Sequence, residues 1–497
     1  MNVLLLNSPY IDAIYDFKQE FCVEYPLGLA YLAGMMEQEK IPYDVLDANA
    51  LGLSVDSTIQ HILNKKPDIL GLTATTTTII MCSKIAGKIK EKLPNTITIV
   101  GGAHLSALPD ACLEEFTSFD YAVQGDGELP LVELYYTLIE GKAVSNDSKR
   151  WVPTEKKGGI WFRDHCGKIA HYETIRQFKH LDDIPFANRQ KFPNDKYRVG
   201  PLMDIGYRGT QIGKIAGSRG CPYRCVYCSE GKSWPPYRSR TPENIFKEME
   251  TMYHKEGVRH IFFVDDTINV RTNDLMKLSE MIVKSGMKIY WHCYARVHPI
   301  DDEILSAMKR SGCFGIMFGI ESGDPHLIKT LGKNINLEQA RNAIRLSKKF
   351  DFKTLGFFMF GLPGDTPETC KNTIRFAKEL NPDLALFSMT VPFPGTELYD
   401  NYVQSKVLPT NFTWDAFTLH KKNSMHQTAN MSSEEVLYYY NKAHTVFYLR
   451  PRYWARVIKR MIQHPQEIKN YWWMMKEFIL THEWIPSPVN PGSRGRA

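Results

Sequence analysis

Ser218-Arg219-Gly220-Cys221-Pro222-Tyr223-Arg224-Cys225-Val226-Tyr227-Cys228 closes an apolar run that begins at Ile215, and it places three thiols within eight residues. Soft ligands packed this closely after a strand read as a metal site rather than as part of a disulfide framework. Zinc is the plainer alternative, but structural zinc takes four N or S ligands. The next twenty residues supply no further Cys or His. Cubane iron–sulfur clusters normally take four thiolates too, so three on one loop leave one iron open to a ligand from outside the chain.

The pattern around this loop alternates. Downstream of Lys214, strand candidates are Ile215–Ser218, His260–Val264, Lys288–Tyr294, Phe314–Phe318, Thr354–Phe360 and Leu384–Met389, with helical patterns such as Pro242–Lys255 and Leu337–Phe350 between them. Six βα units predict an open partial barrel whose functional face is the carboxyl ends of its strands. Upstream, Val3–Leu6, Val45–Leu46, Ile69–Thr73, Ile97–Val100 and Tyr121–Val123 read as strands, and Leu27–Glu39, Ser57–Asn64, Ile79–Lys92 and Leu105–Glu115 as helices. This alternation predicts a parallel sheet covered on both faces, with ligands beyond its carboxyl edge. Residues 141–210 lose the periodicity and read as a linker with a hairpin around Ile160–Tyr172; beyond about residue 406 the chain turns helical and aromatic. The expected fold class is α/β, organised as 1–140, 141–210, 211–405 and a helical 406–497.

The CxxxCxxC spacing, with Tyr227 before the last Cys, resembles the signature of the radical S-adenosylmethionine superfamily. The resemblance implies that Cys221, Cys225 and Cys228 hold a 4Fe-4S cluster whose open iron chelates S-adenosylmethionine, and that cleavage of the sulfonium yields a radical that abstracts a substrate hydrogen. Other strand ends share the likeness: Phe318-Gly319-Ile320-Glu321-Ser322-Gly323, Gly361-Leu362-Pro363-Gly364 and Pro392-Phe393-Pro394-Gly395-Thr396. On this reading Tyr227, Arg296, Glu321 and Ser322 contact S-adenosylmethionine. Val264-Asp265-Asp266-Thr267 stands where many members carry Gly-Gly-Glu, so Asp265 and Asp266 are the candidates for its amino group.

In the first 140 residues the strand ends are hydroxyl-rich and glycine-rich: Thr73–Thr78, Gly101-Gly102-Ala103-His104 and Gly125-Asp126-Gly127-Glu128. No GxGxxG follows the first strand, which argues against a nicotinamide cofactor. With Pro26–Ala33 opening the first helix, this set resembles the Rossmann-like cobalamin-binding domain that precedes the barrel in one branch of the superfamily. The resemblance implies that Thr75, Thr76, Gly101, Gly102, His104, Gly125, Asp126, Gly127 and Glu128 receive cobalamin. Asp-x-His-x-x-Gly is missing, so the expected geometry has no histidine on cobalt. A second cluster on Cys22, Cys82 and Cys112, as in methylthiotransferases, is disfavoured because Cys82 and Cys112 fall inside helical patterns, where buried free thiols are ordinary.

The net charge of +6 is matched by the stretch from Arg450 to Ala497, which holds nine Lys and Arg against three Asp and Glu. The rest of the chain is neutral, so no nucleic acid is expected as partner. The same stretch carries four of the nine Trp residues. Its helical pattern sets Tyr453, Trp454, Val457, Ile458, Met461 and Ile462 on one face and Arg456, Lys459 and Arg460 on the other. Such a tail suits packing over the barrel, or peripheral contact with an anionic membrane. No apolar run nears the roughly 18 residues of a span, and the expected location is the cytoplasm, or its inner membrane face. The resemblance points to a methyltransferase acting on an unactivated carbon of a small molecule, lipophilic if the tail gathers it, with an electron donor such as flavodoxin or ferredoxin. The alternatives are a radical oxidative cyclase or ring-rearranging enzyme, like the magnesium-protoporphyrin ester cyclases, and a noncatalytic cobalamin or iron–sulfur sensor.

Overall fold

The computed structural model describes residues 2–9, 23–139, 151–153, 159–164, 166–171, 176–198, 203, 211–230, 237–408, 412–418 and 428–472. The first parallel sheet contains β1 (Val3–Asn7), β2 (Tyr43–Asp47), β3 (Ile69–Thr73), β4 (Ile97–Gly101) and β5 (Tyr121–Val123). Then follow β6 (Trp151–Pro153), β7 (Ile160–Arg163), β8 (Ile169–His171) and β9 (Arg176–Phe178); β7 and β8 extend the sheet antiparallel in the order β2-β1-β3-β4-β5-β7-β8, while β6 pairs with β9. Both faces are covered: Val3 and Leu5 enter one core, Leu4 and Leu6 the other. This is why β1 reads as a continuous apolar run rather than an alternating one. The pattern predicts a single helix over Leu105–Glu115, but the structure has two, Ala103–Ala107 and Pro109–Glu115. Pro109 disfavours helical backbone at Leu108 and starts the second helix at its first turn.

The second sheet comprises β10 (Gln211–Ile215), β13 (Val258–Phe263), β14 (Tyr290–Ala295), β15 (Cys313–Glu321), β16 (Lys353–Phe360) and β17 (Leu384–Met389), all parallel and in chain order, an open half-barrel. Its first strand lies before the expected Ile215–Ser218, because Ser218–Arg219 leaves the sheet as β11 and pairs antiparallel with β12 (Arg238–Ser239). The helices between strands start where their caps dictate. Thr241 accepts from Asn244 N ahead of Pro242–His254, and Asn336 and Gln339 form a reciprocal capping box ahead of Leu337–Lys349. Each cap satisfies donors that the first helical turn leaves open.

The C-terminal region packs on both sheets. Trp414 and Phe417 join the core of the first sheet, and Val436, Phe447, Tyr453 and Val457 that of the second. In the helix Pro451–Gln463 the buried face differs from the expected one. Tyr453 and Val457 are buried, whereas Ile458 and Ile462 are 55% and 74% exposed. Charge sets this rotation: Arg460 turns inward to Glu467 at 3.1 Å, Arg456 faces Asp383 at 3.6 Å, and Lys353 meets Glu467 at 3.2 Å. Lys353 begins β16, so this tail closes the amino end of the half-barrel, opposite the cysteine loop. The end of the expected helical region, from residue 473, lies outside the described residues. Among the described residues no helix is long and apolar enough to cross a membrane.

Candidate functional site

The cysteine loop leaves β11 at the carboxyl edge of the half-barrel and is fastened from two sides. From one side, Asp265, just past β13, accepts from Gly217 N at 2.9 Å and Ser218 Oγ at 2.5 Å. From the other, the segment Leu331–Asn334 grips the loop itself. Val226 N donates to Leu331 O at 3.2 Å, and Lys333 Nζ reaches Tyr227 Oη at 3.3 Å. Arg296 stacks on Tyr223 at 3.6 Å while donating to the carbonyls of Lys333 and Asn334. Cys221, Cys225 and Cys228 are half-buried on this loop, and Thr267 Oγ1 lies 4.0 Å from Cys221 Sγ.

Burial pushes the Cys221 thiol up and that of Cys228 to about 12. Thiolates here therefore come with a bound metal, which takes them deprotonated. Among the described residues no three Cys, His, Asp or Glu side chains already surround one metal point. The fit rests on donor chemistry: three soft thiols in one braced loop suit iron–sulfur or zinc rather than a hard cation.

The candidate S-adenosylmethionine ligands divide by placement. Asp266 lines the cleft, and burial together with the neighbouring Asp265 pushes its carboxyl up to about 6. Asp265 is buried and committed to Gly217 and Ser218. Ser322 is fully buried between Thr373 and Asp324 N, where it shapes the turn after β15. Glu321, at φ +68°, pairs with Lys333 Nζ at 2.5 Å, both side chains being under 10% exposed. Burial, with Glu321 adding to it, holds the Tyr227 phenol protonated. Sequence reasoning missed Lys333. Its position three residues before Asn336, the N-cap of the helix Leu337–Lys349, carries no motif, and only the fold brings it to Glu321.

The cleft beside this loop has a volume of about 400 Å³ and is lined from both sheets. From the first come Thr73, Gly101, Gly102 and Gly125 through Glu128; from the second, Ala216, Ser218 through Gly220, Glu230, Val264 and Asp266. The carboxyl edges of the two sheets thus face one another. A Cβ at Gly102 would stand 2.5 Å from Ala74 O, whereas at Gly125 nothing lies within 4 Å; at these strand ends the backbone itself faces the cleft. A glycine-lined cleft of this kind lets a large planar group approach closely, and it fits a corrin. Asp126 and Glu128 line the cleft and also pair across it, with Arg219 at 3.0 and 2.6 Å.

Thr75, Thr76 and His104 do not line it. The Thr75 hydroxyl bonds to Thr77 and Thr78 at 3.1 Å each. His104 is 1% exposed, with Thr76 Oγ1 3.3 Å from its Nδ1 and Trp414 edge-on at 4.8 Å. Burial lowers its pKa to about 4, so the ring is neutral. Cys82 and Cys112 are buried in helices, with burial raising both thiols, and Cys22 lies outside the described residues.

Comparison with known proteins agrees with this arrangement. The Radical SAM superfamily matches residues 215–377, and the B12 binding domain matches residues 22–135. An uncharacterized methyltransferase of Pyrococcus horikoshii, PH0819, is 31% identical over 445 residues, which are 88% of this chain and 90% of the relative. The anaerobic magnesium-protoporphyrin IX monomethyl ester cyclase of Rubrivivax gelatinosus is 27% identical over 378 residues, 75% of this chain and 65% of that one. Among solved structures, the radical S-adenosylmethionine methyltransferase TsrM of Kitasatospora setae, with cobalamin and a 4Fe-4S cluster bound, shares the fold at a TM-score of 0.63 and 21% identity, over 81% of this chain and 78% of that one.

Proposed function

Because the chain belongs to the radical S-adenosylmethionine superfamily, in the branch with a B12 binding domain ahead of the barrel, we propose that it transfers a methyl group to an unactivated carbon of a small-molecule substrate. The observation that carries this reading is the cleft, in which glycine-formed strand ends of the first sheet face the three-thiol loop of the second. When bound, the 4Fe-4S cluster, S-adenosylmethionine and cobalamin supply the radical and the methyl carrier, and the protein supplies orientation and exclusion of water.

Cys221, Cys225 and Cys228 would hold the cluster. Asp266 is the S-adenosylmethionine candidate open to the cleft. Arg296, Glu321 and Tyr227 would reach that ligand from the wall they share with Lys333, while Asp265 and Ser322 act through the backbone they fasten. Gly101, Gly102, Gly125 and Gly127 would seat the corrin, with Asp126 and Glu128 at its rim. His104 is buried against Trp414 and does not line the cleft, which supports a cobalt without protein imidazole. Thr75 and Thr76 then contribute packing of the strand end rather than contact.

Oxidative cyclisation is the second reading, supported by the likeness to the Rubrivivax gelatinosus cyclase. Anaerobic turnover with methyl-deuterated S-adenosylmethionine and a metabolite extract, followed by mass spectrometry, separates the two. Transfer of the labelled methyl group to product supports methylation, and product formed without label supports cyclisation. S-adenosylmethionine that stays intact under reducing conditions would favour a sensor and overturn both. A small reductant protein such as flavodoxin or ferredoxin suits the cluster, and with it a cytoplasmic location. Exposed Ile458, Ile462 and Trp472 beside Arg452 and Lys459 support peripheral contact with an anionic membrane face.

A further inference from the structure

Two acidic side chains on one wall of the cleft meet two arginines on the other. Arg219, two residues ahead of Cys221, donates to Glu128 Oε1 at 2.6 Å and Oε2 at 3.2 Å and pairs with Asp126 Oδ1 at 3.0 Å. Arg238, on the strand paired with Ser218–Arg219, takes the other Asp126 oxygen at 2.6 Å. The carboxylates are 8% and 3% exposed, and the Arg219 guanidinium also lies 5.3 Å from the Tyr31 ring. Each carboxylate belongs to the turn between β5 and the helix that begins at Glu128, where a Cβ on Gly127 would already press on Leu32 at 3.3 Å. The acidic turn is therefore packed against the helix Leu27–Gln38 of its own domain, and the hairpin carrying Arg219 is the root of the cysteine loop.

An arginine bound through both arms to a carboxylate fixes direction as well as distance, which a lysine cannot do. Removing one partner of such a buried pair strands the other charge, so the arrangement resists slippage. Resting on the function proposed above, we infer that Arg219 is a positioning residue: its two-armed grip on Glu128 and Asp126 sets the separation of the cysteine loop from the glycine-lined wall, and hence of cluster from corrin. Any glue between the domains would hold them together; this one holds them at the reacting edge.

The test uses the full chain loaded with cluster and cob(II)alamin, with the cluster reduced, and reads the distance between the two spins by pulsed dipolar EPR. The wild-type protein should give one narrow distance. Arg219→Lys, which keeps the charge, should retain its iron and cobalamin but broaden that distribution about twofold or more. Glu128→Gln, nearly isosteric, should do the same and stands in if the lysine variant folds poorly. Arg460→Lys is the control, since Arg460 forms a similarly buried pair with Glu467 at 3.1 Å at the opposite, amino end of the half-barrel; it should lower stability and leave the distance narrow. An unchanged distribution in Arg219→Lys and Glu128→Gln, or equal broadening in the control, would overturn the inference. A wild-type chain that binds no cobalamin would instead bring down the proposed function, and the inference with it.

Discussion

The two walls of the cleft are built by opposite means. On the first sheet the strand ends present backbone between apolar side chains: Gly101, Gly102, Gly125 and Gly127 leave out side chains, and Gly102 has no room for one against Ala74 O. On the second sheet the wall is side chain: the cysteine loop is pinned by Asp265, Arg296 and Lys333, each buried and each bonded to backbone or to a charged partner. A large ligand recognised by its outline needs close approach and little chemistry. A metal cluster needs soft donors held still, and low-dielectric ion pairs supply that rigidity because breaking one is costly. Substitutions should therefore be felt by steric intrusion on one wall and by loss of a charge or donor on the other.

Removing the donors from the side-chain wall should have the largest effect. Anaerobic reconstitution of the wild-type chain should give about four irons, as for one cubane, and Cys221→Ala/Cys225→Ala/Cys228→Ala should give almost none. A full cluster in the triple variant would mean that the side-chain wall is not the metal site.

Next in size is Lys333→Met. It strands Glu321, whose carboxylate has Lys333 Nζ at 2.5 Å, and should destabilise the protein by about 3–5 kcal/mol in urea titrations. A loss below about 1 kcal/mol would show that this wall does not depend on its charges.

On the backbone wall, two glycines with positive φ serve as a matched pair. Gly102→Ala meets Ala74 O at 2.5 Å and should abolish cobalamin binding, at a stability cost of about 2–3 kcal/mol. Gly125→Ala has open space within 4 Å and should cost only about 1 kcal/mol of backbone strain. Absorbance titration with hydroxocobalamin and urea melts read both effects. Equal behaviour of the two variants would count against a steric account.

His104 gives a smaller, pH-dependent effect. Its folded pKa, lowered by burial to about 4, lies below the ordinary 6.5. Folding therefore excludes a proton that the unfolded chain accepts. The stability tied to the neutral ring is complete above about pH 6.5 and is lost at up to about 1.4 kcal/mol per pH unit as pH falls towards 4. His104→Gln should flatten that share of the slope between about pH 7 and pH 5. In the wild-type protein the EPR spectrum of cob(II)alamin should show no nitrogen splitting that changes when histidine is isotope-labelled, and such a splitting would contradict the burial of His104 outside the cleft.

The smallest effect concerns the tail, away from both walls. Ile462→Ser should weaken partitioning to anionic vesicles about tenfold, from the loss of about 1.5 kcal/mol of apolar burial. Binding should fall with added salt. Indifference to both would leave the tail as a structural closure alone.

Local patterns carried much of this protein. Continuous apolar runs marked the strands of both sheets to within a few residues, because strands buried on both faces need no polar alternation. The thiol spacing marked the loop, and glycine after strand ends marked the opposite wall. Other features depended on neighbours far along the chain. Lys333 had no motif and reaches Tyr227, 106 residues earlier, only where the segment after β15 meets the cysteine loop. Asp126 and Glu128 read as cofactor residues, yet their partners Arg219 and Arg238 are about a hundred residues away. The tail helix turned Arg456 and Arg460 inward, because Asp383 and Glu467 waited there, and so exposed Ile458 and Ile462. Periodicity and spacing, which act between near neighbours, determined the elements and the ligand loop from sequence alone. The pairing of buried charges was decided only when the two sheets met, since the cost of leaving a charge unpaired depends on what else comes to bury it.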